Sequence, residues 1–308
     1  MAHAHVALAA YESARLLLNK PIFGTQAILS QPGAAIWHNS GSTADRTDTN
    51  YPARRAYDGF GHLMTKPTAV SPDKTWYYSL DISVGGVEFD MLAIIGHNLG
   101  TLHAGGALTI TLEVDDLSDF SAAHSIPITV TTTTSNLRIM QLDLHHTGAV
   151  PLRYSSVRYA RLKLTRGATN FTPEIGELIL GRRRQLKHTP KLPYDATSLH
   201  STSERFETIG GVIGRSIYAA GKFHLSASLD AFESTYIADA IAAFIGCSYG
   251  TRPFVWVPLP NSAPGSWYLM SIDEPDFDYP IEDFARRTWQ LEATEQGPEN
   301  YYLARVVY

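Results

Sequence analysis

Histidines, carboxylates and aromatic rings are the groups in this chain with the reach to bind or react, and their spacing sets what each can do. His97-Asn98 closes the apolar run Met91-Leu-Ala-Ile-Ile-Gly, which puts an imidazole and a carboxamide where a strand leaves a sheet. Loops at one end of a β-sandwich carry function, so this pair is a candidate ligand contact. The alternative is that Asn98 bonds local backbone and shapes the turn. Asp58-Gly59 is a turn-forming pair by residue type; a calcium ion needs about six or more oxygens, and one aspartate gives no sign of the rest. Trp76 offers the kind of aromatic face that stacks on a sugar, but it stands beside Tyr77, Tyr78 and Leu80, as core residues do. Asp58, Trp76, His97 and Asn98 are thus the candidate loop for a glycan or a protein partner.

The remaining reactive groups argue against catalysis. His145-His146 point to opposite faces if the segment is a strand, so one metal ion cannot take both. His3 and His5 share a face only at a terminus. Asp115, Asp116 and Asp119 form one acidic cluster, and Asp273, Glu274, Asp276 and Asp278 another. Paired carboxylates are what glycoside hydrolysis requires, but Pro275 and Pro280 mark the second cluster as a loop, where carboxylates are solvated. The sequence has no phosphate loop, dinucleotide fingerprint or paired-histidine zinc motif. No enzyme, metal or cofactor is expected. The single cysteine, Cys247, excludes an internal disulfide and a cysteine-based zinc cluster.

Composition points the same way. The 308 residues suggest two domains. Apolar residues make up 44% and charged residues 18%, enough for a core and poor enough in charge to suit large subunit contacts. A net charge of -5 argues against nucleic-acid binding, which needs clustered Lys and Arg. No apolar run approaches the roughly 18 residues that suggest a membrane-spanning helix. The N-terminus lacks the basic start of a secretory signal, and Glu12 and Arg15 interrupt the apolar stretch after it. Synthesis in a cytoplasm without general export is expected.

The elements that would position these groups are mostly strands. Between about residues 26 and 181 the pattern predicts strands at 34–38, 75–82, 89–96, 108–114, 126–132, 138–144, 157–165 and 174–180. In Arg158–Thr165 the residues Ala160, Leu162 and Leu164 alternate with Tyr159, Arg161, Lys163 and Thr165, the mark of a half-buried strand. Ile110, Leu112 and Val114 repeat it. Short strands parted by Gly, Pro, Asp and Ser predict a sandwich. Residues 182–203, with Arg182, Arg183, Arg184, Lys187, Pro190, Lys191 and Pro193, are expected as a basic linker or arm. From 204 to 308 the pattern predicts strands at 205–209, 212–219, 222–228, 253–257, 267–272 and 287–293. A helix is predicted over Leu229–Ile245, capped by Ser228 and closed by Gly246. Phe232, Tyr236, Ile241 and Phe244 would form its apolar stripe and pack with Phe254 and Trp256 as the core of this second domain.

Two resemblances emerge from these residues. The segments Ala56-Tyr-Asp-Gly59, Thr75-Trp-Tyr77, Ile94-Ile-Gly-His-Asn-Leu99 and Ile175-Gly-Glu-Leu-Ile-Leu-Gly181 resemble the frame of a galactose-binding-like (discoidin-type) sandwich over 1–181. Such sandwiches are docking modules. The order Gly221–Ser228, helix, Arg252-Pro-Phe-Val-Trp-Val-Pro258, Trp267–Met270 and Arg287–Ala293 resembles minor tail proteins of long-tailed bacteriophages of the lambda M type, and the tube-like domain of distal tail proteins. The resemblance covers roughly 204–296. The tube-like unit stands second here, whereas in distal tail proteins it usually comes first. The resemblance implies a tail-tube-like sandwich with one flanking helix, assembled as a homo-oligomeric ring, hexameric or alternatively trimeric. It implies partners in the tail tube and other tail-tip proteins, a place in the virion tail after assembly in the host cytoplasm, and a structural role. The alternative is a carbohydrate-binding adhesin of the tail that touches host surface glycans.

Overall fold

The computed structural model describes residues 5–7, 22–26, 34–58, 63–68, 73–82, 87–128, 130, 138–141, 146–147, 150–167, 170–185, 191–207, 213–231, 253–257, 267–272, 281–283 and 286–295. The chain is mainly β and divides into two compact units, Met1–Leu17 with Gly24–Arg184, and Leu18–Phe23 with Gln185–Tyr308. In chain order the strands up to residue 185 are β1 His5–Ala7, β2 Ile22–Gln26, β3 Ala34–Asn39, β4 Thr75–Asp81, β5 Val87–Phe89, β6 Met91–His97, β7 Leu108–Asp115, β8 His124–Ile128, β9 Arg138–Gln141, β10 His146–Thr147, β11 Val150–Val157, β12 Tyr159–Arg166 and β13 Ile175–Gln185. A six-residue helix, α1 (Leu99–Ala104), comes after β6, and a 3-10 turn covers Ala53–Tyr57.

In the first unit, one antiparallel sheet runs β3-β4-β12-β7-β8. Its register puts Trp37 opposite Tyr78, Leu162 between Tyr78 and Leu112, and Leu112 opposite Ile126. Alternation therefore sends one face of every strand inward, and Trp37, Trp76, Tyr78, Leu80, Ile110, Leu112, Ala160, Leu162 and Leu164 are all buried. The facing layer is β6 paired with β13 and β9. Leu92, Ile94, Leu178 and Leu180 pack into the same core. A small sheet gathers β1, β5 and β10 around β11.

The strand β6 is buried at all seven of its residues, so it is covered on both faces. Gly96 has φ 62°, the left-handed region open to glycine at little cost, and this turns the chain just before His97.

The second unit contains β14 Lys191–Glu207, β15 Ile213–Ala231, β16 Phe254–Val257, β17 Tyr268–Ile272, β18 Ile281–Asp283 and β19 Arg286–Glu295. β14 and β15, of 17 and 19 residues, pair as a long antiparallel hairpin with several register shifts. β19 pairs with β15, β17 and β18, and β16 pairs with β17. Phe254, Val255, Trp256, Val257, Leu269, Met270, Leu225 and Ala293 are buried.

Two sequence expectations change here. The helix expected over Leu229–Ile245 does not begin at Leu229: Leu229, Asp230 and Ala231 complete β15, opposite Trp289, Thr288 and Arg287. The alternation Leu225-Ser-Ala-Ser-Leu-Asp-Ala231 has period two, and Ser228 and Asp230 are strand residues rather than a cap and a first turn. Phe232, Tyr236, Ile241, Phe244 and Cys247 lie outside the described residues. The linker expected over 182–203 is strand where described. Arg182–Gln185 complete β13, and Lys191–Ser203 open β14. Arg183 is buried rather than solvated because its guanidinium pairs with Asp90 (Nε to Oδ2 3.5 Å) and its backbone N–H donates to Asp90 Oδ1 at 2.8 Å. Pro193 is compatible with a strand at the end of a sheet, where a missing N–H costs least.

Candidate functional site

The four residues singled out from sequence are placed very differently. Trp76 is fully buried and its indole N–H donates to the Phe171 carbonyl at 2.8 Å, so it presents no face to a ligand. His97 is buried as well. Its Nδ1 accepts the Leu99 N–H at 3.2 Å, which places the ring proton on Nε2, a buried atom with no hydrogen-bond partner. Burial lowers its pKa to about 4, so the ring stays neutral. Asn98 is a clamp: its Nδ2 donates to the Thr172 carbonyl at 3.0 Å, and its Oδ1 accepts the Glu174 N–H at 3.0 Å. Asn98 thus bonds backbone, but that of the distant 172–174 segment rather than that of its own turn. Asp58 is exposed at the end of the 3-10 turn.

Asn98 fixes Glu174, and Glu174 leads to an aromatic group that the sequence reasoning did not single out. Lys66 Nζ lies 3.6 Å from Glu174 Oε1 and 3.9 Å from the centre of the Tyr51 ring. Arg55 Cζ lies 5.7 Å from the same ring centre. Tyr51, Arg55, Lys66 and Glu174 are all partly exposed. The patch thus combines one ring, two cations and one carboxylate, with exposed Arg54 and Asp58 on the adjacent turn. Lys66 and Arg55 stand over the ring, so the patch offers the exposed part of an aromatic ring together with charged groups that can meet a sugar's C–H groups and hydroxyls.

The support beneath the patch is rigid. The Tyr51 carbonyl accepts the Thr65 hydroxyl at 3.1 Å, and Thr65 Oγ1 in turn accepts the Trp37 indole N–H at 2.9 Å. The Thr65 backbone bonds Ile175 in both directions, at 2.7 and 3.0 Å. Asp48 N–H donates to the Lys66 carbonyl at 3.0 Å. The 3-10 turn is docked through buried Ala53 and Ala56, and the Tyr78 hydroxyl donates to the Ala53 carbonyl at 2.7 Å. Burial raises the Tyr78 pKa well above its ordinary value, so it remains a donor. A site mounted on such bonds loses little freedom when it binds.

The sequence signal for this patch was length. The segment between β3 and β4 runs from 40 to 74 with only a 3-10 turn in its described part, and long irregular segments in compact domains are commonly functional.

A second cluster lies on the outer face of the five-stranded sheet. The His38 ring stacks on Tyr77 at 4.9 Å, and Arg161 Cζ sits 4.6 Å from Tyr77 and 4.0 Å from Phe120. Glu113 is buried and accepts Arg161 Nε at 2.6 Å and Lys163 Nζ at 3.3 Å. Asp115 accepts the Leu117 and Ala122 N–H groups. Phe120, at φ 55°, is held in a conformation that a phenylalanine rarely adopts. These contacts fasten the 116–123 loop over the sheet and account for the acidic cluster at Asp115. Among the described residues no group of three or more His, Cys, Asp or Glu could hold a metal ion. Phe254 and Trp256 are buried in β16. No helix among the described residues is long and apolar enough to cross a membrane.

No protein-family model matches the chain, and no curated protein matches it. Solved structures overlap it loosely. Chitosan-binding module 1 of a chitosanase/glucanase from Paenibacillus sp. IK-5 has a TM-score of 0.33 at 11% identity, covering 51% of this chain and 98% of the module. The CBM32 of AlyQ, in complex with 4,5-unsaturated mannuronic acid, has a TM-score of 0.32 at 12% identity, covering 48% and 93%. A CBM32 produced by Clostridium perfringens, in complex with GlcNAc-α-1,4-galactose, has a TM-score of 0.29 at 10% identity, covering 51% and 94%. Overlaps at such TM-scores assign nothing to this chain, whose fold is defined by its own sheet topology.

Proposed function

We propose that this chain is a docking protein rather than an enzyme, and that its first unit binds a carbohydrate at the Tyr51–Arg55–Lys66–Glu174 patch. The observation that carries this reading is the partly exposed Tyr51 ring, flanked by two cations and mounted through Thr65 on the sheet. In the setting that the sequence resemblance implies, it is the adhesin of a phage tail that contacts host surface glycans. Titration against a panel of host surface glycans tests it. Tyr51→Ala is expected to abolish binding at an unchanged melting temperature. Absence of binding to every glycan in the panel rejects the reading.

A second reading is favoured by one feature of the second unit. Among the described residues β14 ends the strand order of its sheet, and its 17 residues have one strand neighbour there, β15. Such an edge suits strand addition by another chain. On this reading the second unit assembles with copies of itself into a closed ring, of six or alternatively three, that joins or closes a tail tube and docks other tail-tip proteins. Electron microscopy of intact particles tests it; a chain that stays monomeric with tail partners present, and is absent from virions, ends it.

A further inference from the structure

We propose that the sugar taken at the Tyr51 patch is acidic, and that its carboxylate replaces the Glu174 carboxylate on Lys66. The inference deepens the glycan reading and rests on it. Among the described residues, the charged groups of the patch and its adjoining turns are Arg54, Arg55, Lys66, Asp48, Asp58 and Glu174. Asp48 Oδ1 already accepts the Asn50 N–H at 2.9 Å. Arg55 commits one N–H to the Met64 carbonyl, at 3.4 Å, out of the five a guanidinium carries. Lys66, the cation nearest the ring, pairs with Glu174, and that pairing is loose. At 3.6 Å it is well outside the 2.7–2.9 Å or so of a close charge-assisted hydrogen bond.

Glu174 is built as a placeholder. Its backbone is fixed on both sides: its N–H donates to Asn98 Oδ1 and its carbonyl accepts the Asn98 N–H at 3.3 Å. Only the side chain is left to swing, and it is 31% exposed against 25% for Lys66. A ligand carboxylate on Lys66 has a second cation of the patch, Arg55, over the same ring, whereas Glu174 is seen on Lys66 alone. The cost of leaving Lys66 is small for Glu174, because a partly exposed, loosely spaced pair contributes little and water takes its place. A neutral sugar gains no such exchange and must bind beside an intact Lys66–Glu174 pair.

The experiment is calorimetric titration of the full chain with a panel of acidic oligosaccharides and their carboxyl-reduced, neutral counterparts, at low and high salt. Acidic sugars are expected to bind about tenfold tighter than their reduced forms, with the difference shrinking as salt rises. Glu174→Gln is expected to strengthen binding of the acidic form severalfold relative to the neutral form. Lys66→Gln is expected to erase the discrimination; if it lowers the melting temperature, Arg55→Gln supplies the same comparison. Equal binding of acidic and neutral forms overturns this inference and leaves the glycan reading standing. Weaker acidic binding by Glu174→Gln also overturns it, because Glu174 would then be a ligand contact. No binding of either form by the folded chain overturns both.

Discussion

Trp76 and Tyr51 are both aromatic residues near polar groups, and the fold uses them in opposite ways. Trp76 sits on β4, where the pleat turns every second side chain inward; it is fully buried and its one polar atom is bonded. Tyr51 sits between β3 and β4, just before the 3-10 turn, where its backbone is fixed through Thr65 and Asp48. A strand position commits the side chain to the core, whereas a loop position commits the backbone and leaves the ring partly exposed beneath Lys66 and Arg55. The same contrast separates His97, on a strand, from Lys66, on the loop.

The contrast can be broken or sharpened in order of expected effect. Trp76→Ala removes a fully buried indole and orphans the Phe171 carbonyl, and is expected to cost about 3–5 kcal/mol by chemical denaturation. A loss below about 1 kcal/mol would break the distinction. Acid comes next. The His97 imidazole has a pKa of about 4 in the fold against an ordinary 6.5, so the unfolded chain takes up the proton first. Stability attributable to this group is complete above pH 6.5 and falls as pH drops toward 4, by about 3 kcal/mol in all. His97→Gln should flatten that part of the stability–pH curve. Asn98→Ala removes two cross-chain hydrogen bonds and is expected to cost about 1–3 kcal/mol. Tyr51→Ala is expected to change stability by less than about 1 kcal/mol, as partly exposed positions do, while glycan binding disappears in the same titration.

Much of the first unit was legible in the sequence because its strands are half-buried and alternate. Ala160, Leu162 and Leu164 are buried as the period-two pattern requires, and Tyr159, Arg161, Lys163 and Thr165 lie opposite. The run ending at His97 read as a strand because it is apolar throughout, and it is covered on both faces. What was illegible depends on long-range contact. Glu113 and Asp115 lie on the polar face of β7 and are nevertheless buried, because the 116–123 loop folds over them. Arg183 read as solvated until Asp90, far away in sequence, supplied its partner. Leu229–Ala231 fit either period over so short a stretch, and pairing with β19 decides for strand. Tyr51, Arg55 and Lys66 have no periodicity to betray them; they converge because Thr65 bridges to Ile175.

That single threonine has a mechanical consequence. It takes the Trp37 indole, holds the Tyr51 carbonyl and is stitched by its backbone to β13. A tether pulling on a sugar held at Tyr51 would pass its load through the Thr65 hydroxyl to the Trp37 indole and to two backbone bonds with Ile175, all anchored in the interior of the sandwich. Under tension the loop cannot peel away by itself, so the grip would fail at the sugar before it failed in the protein.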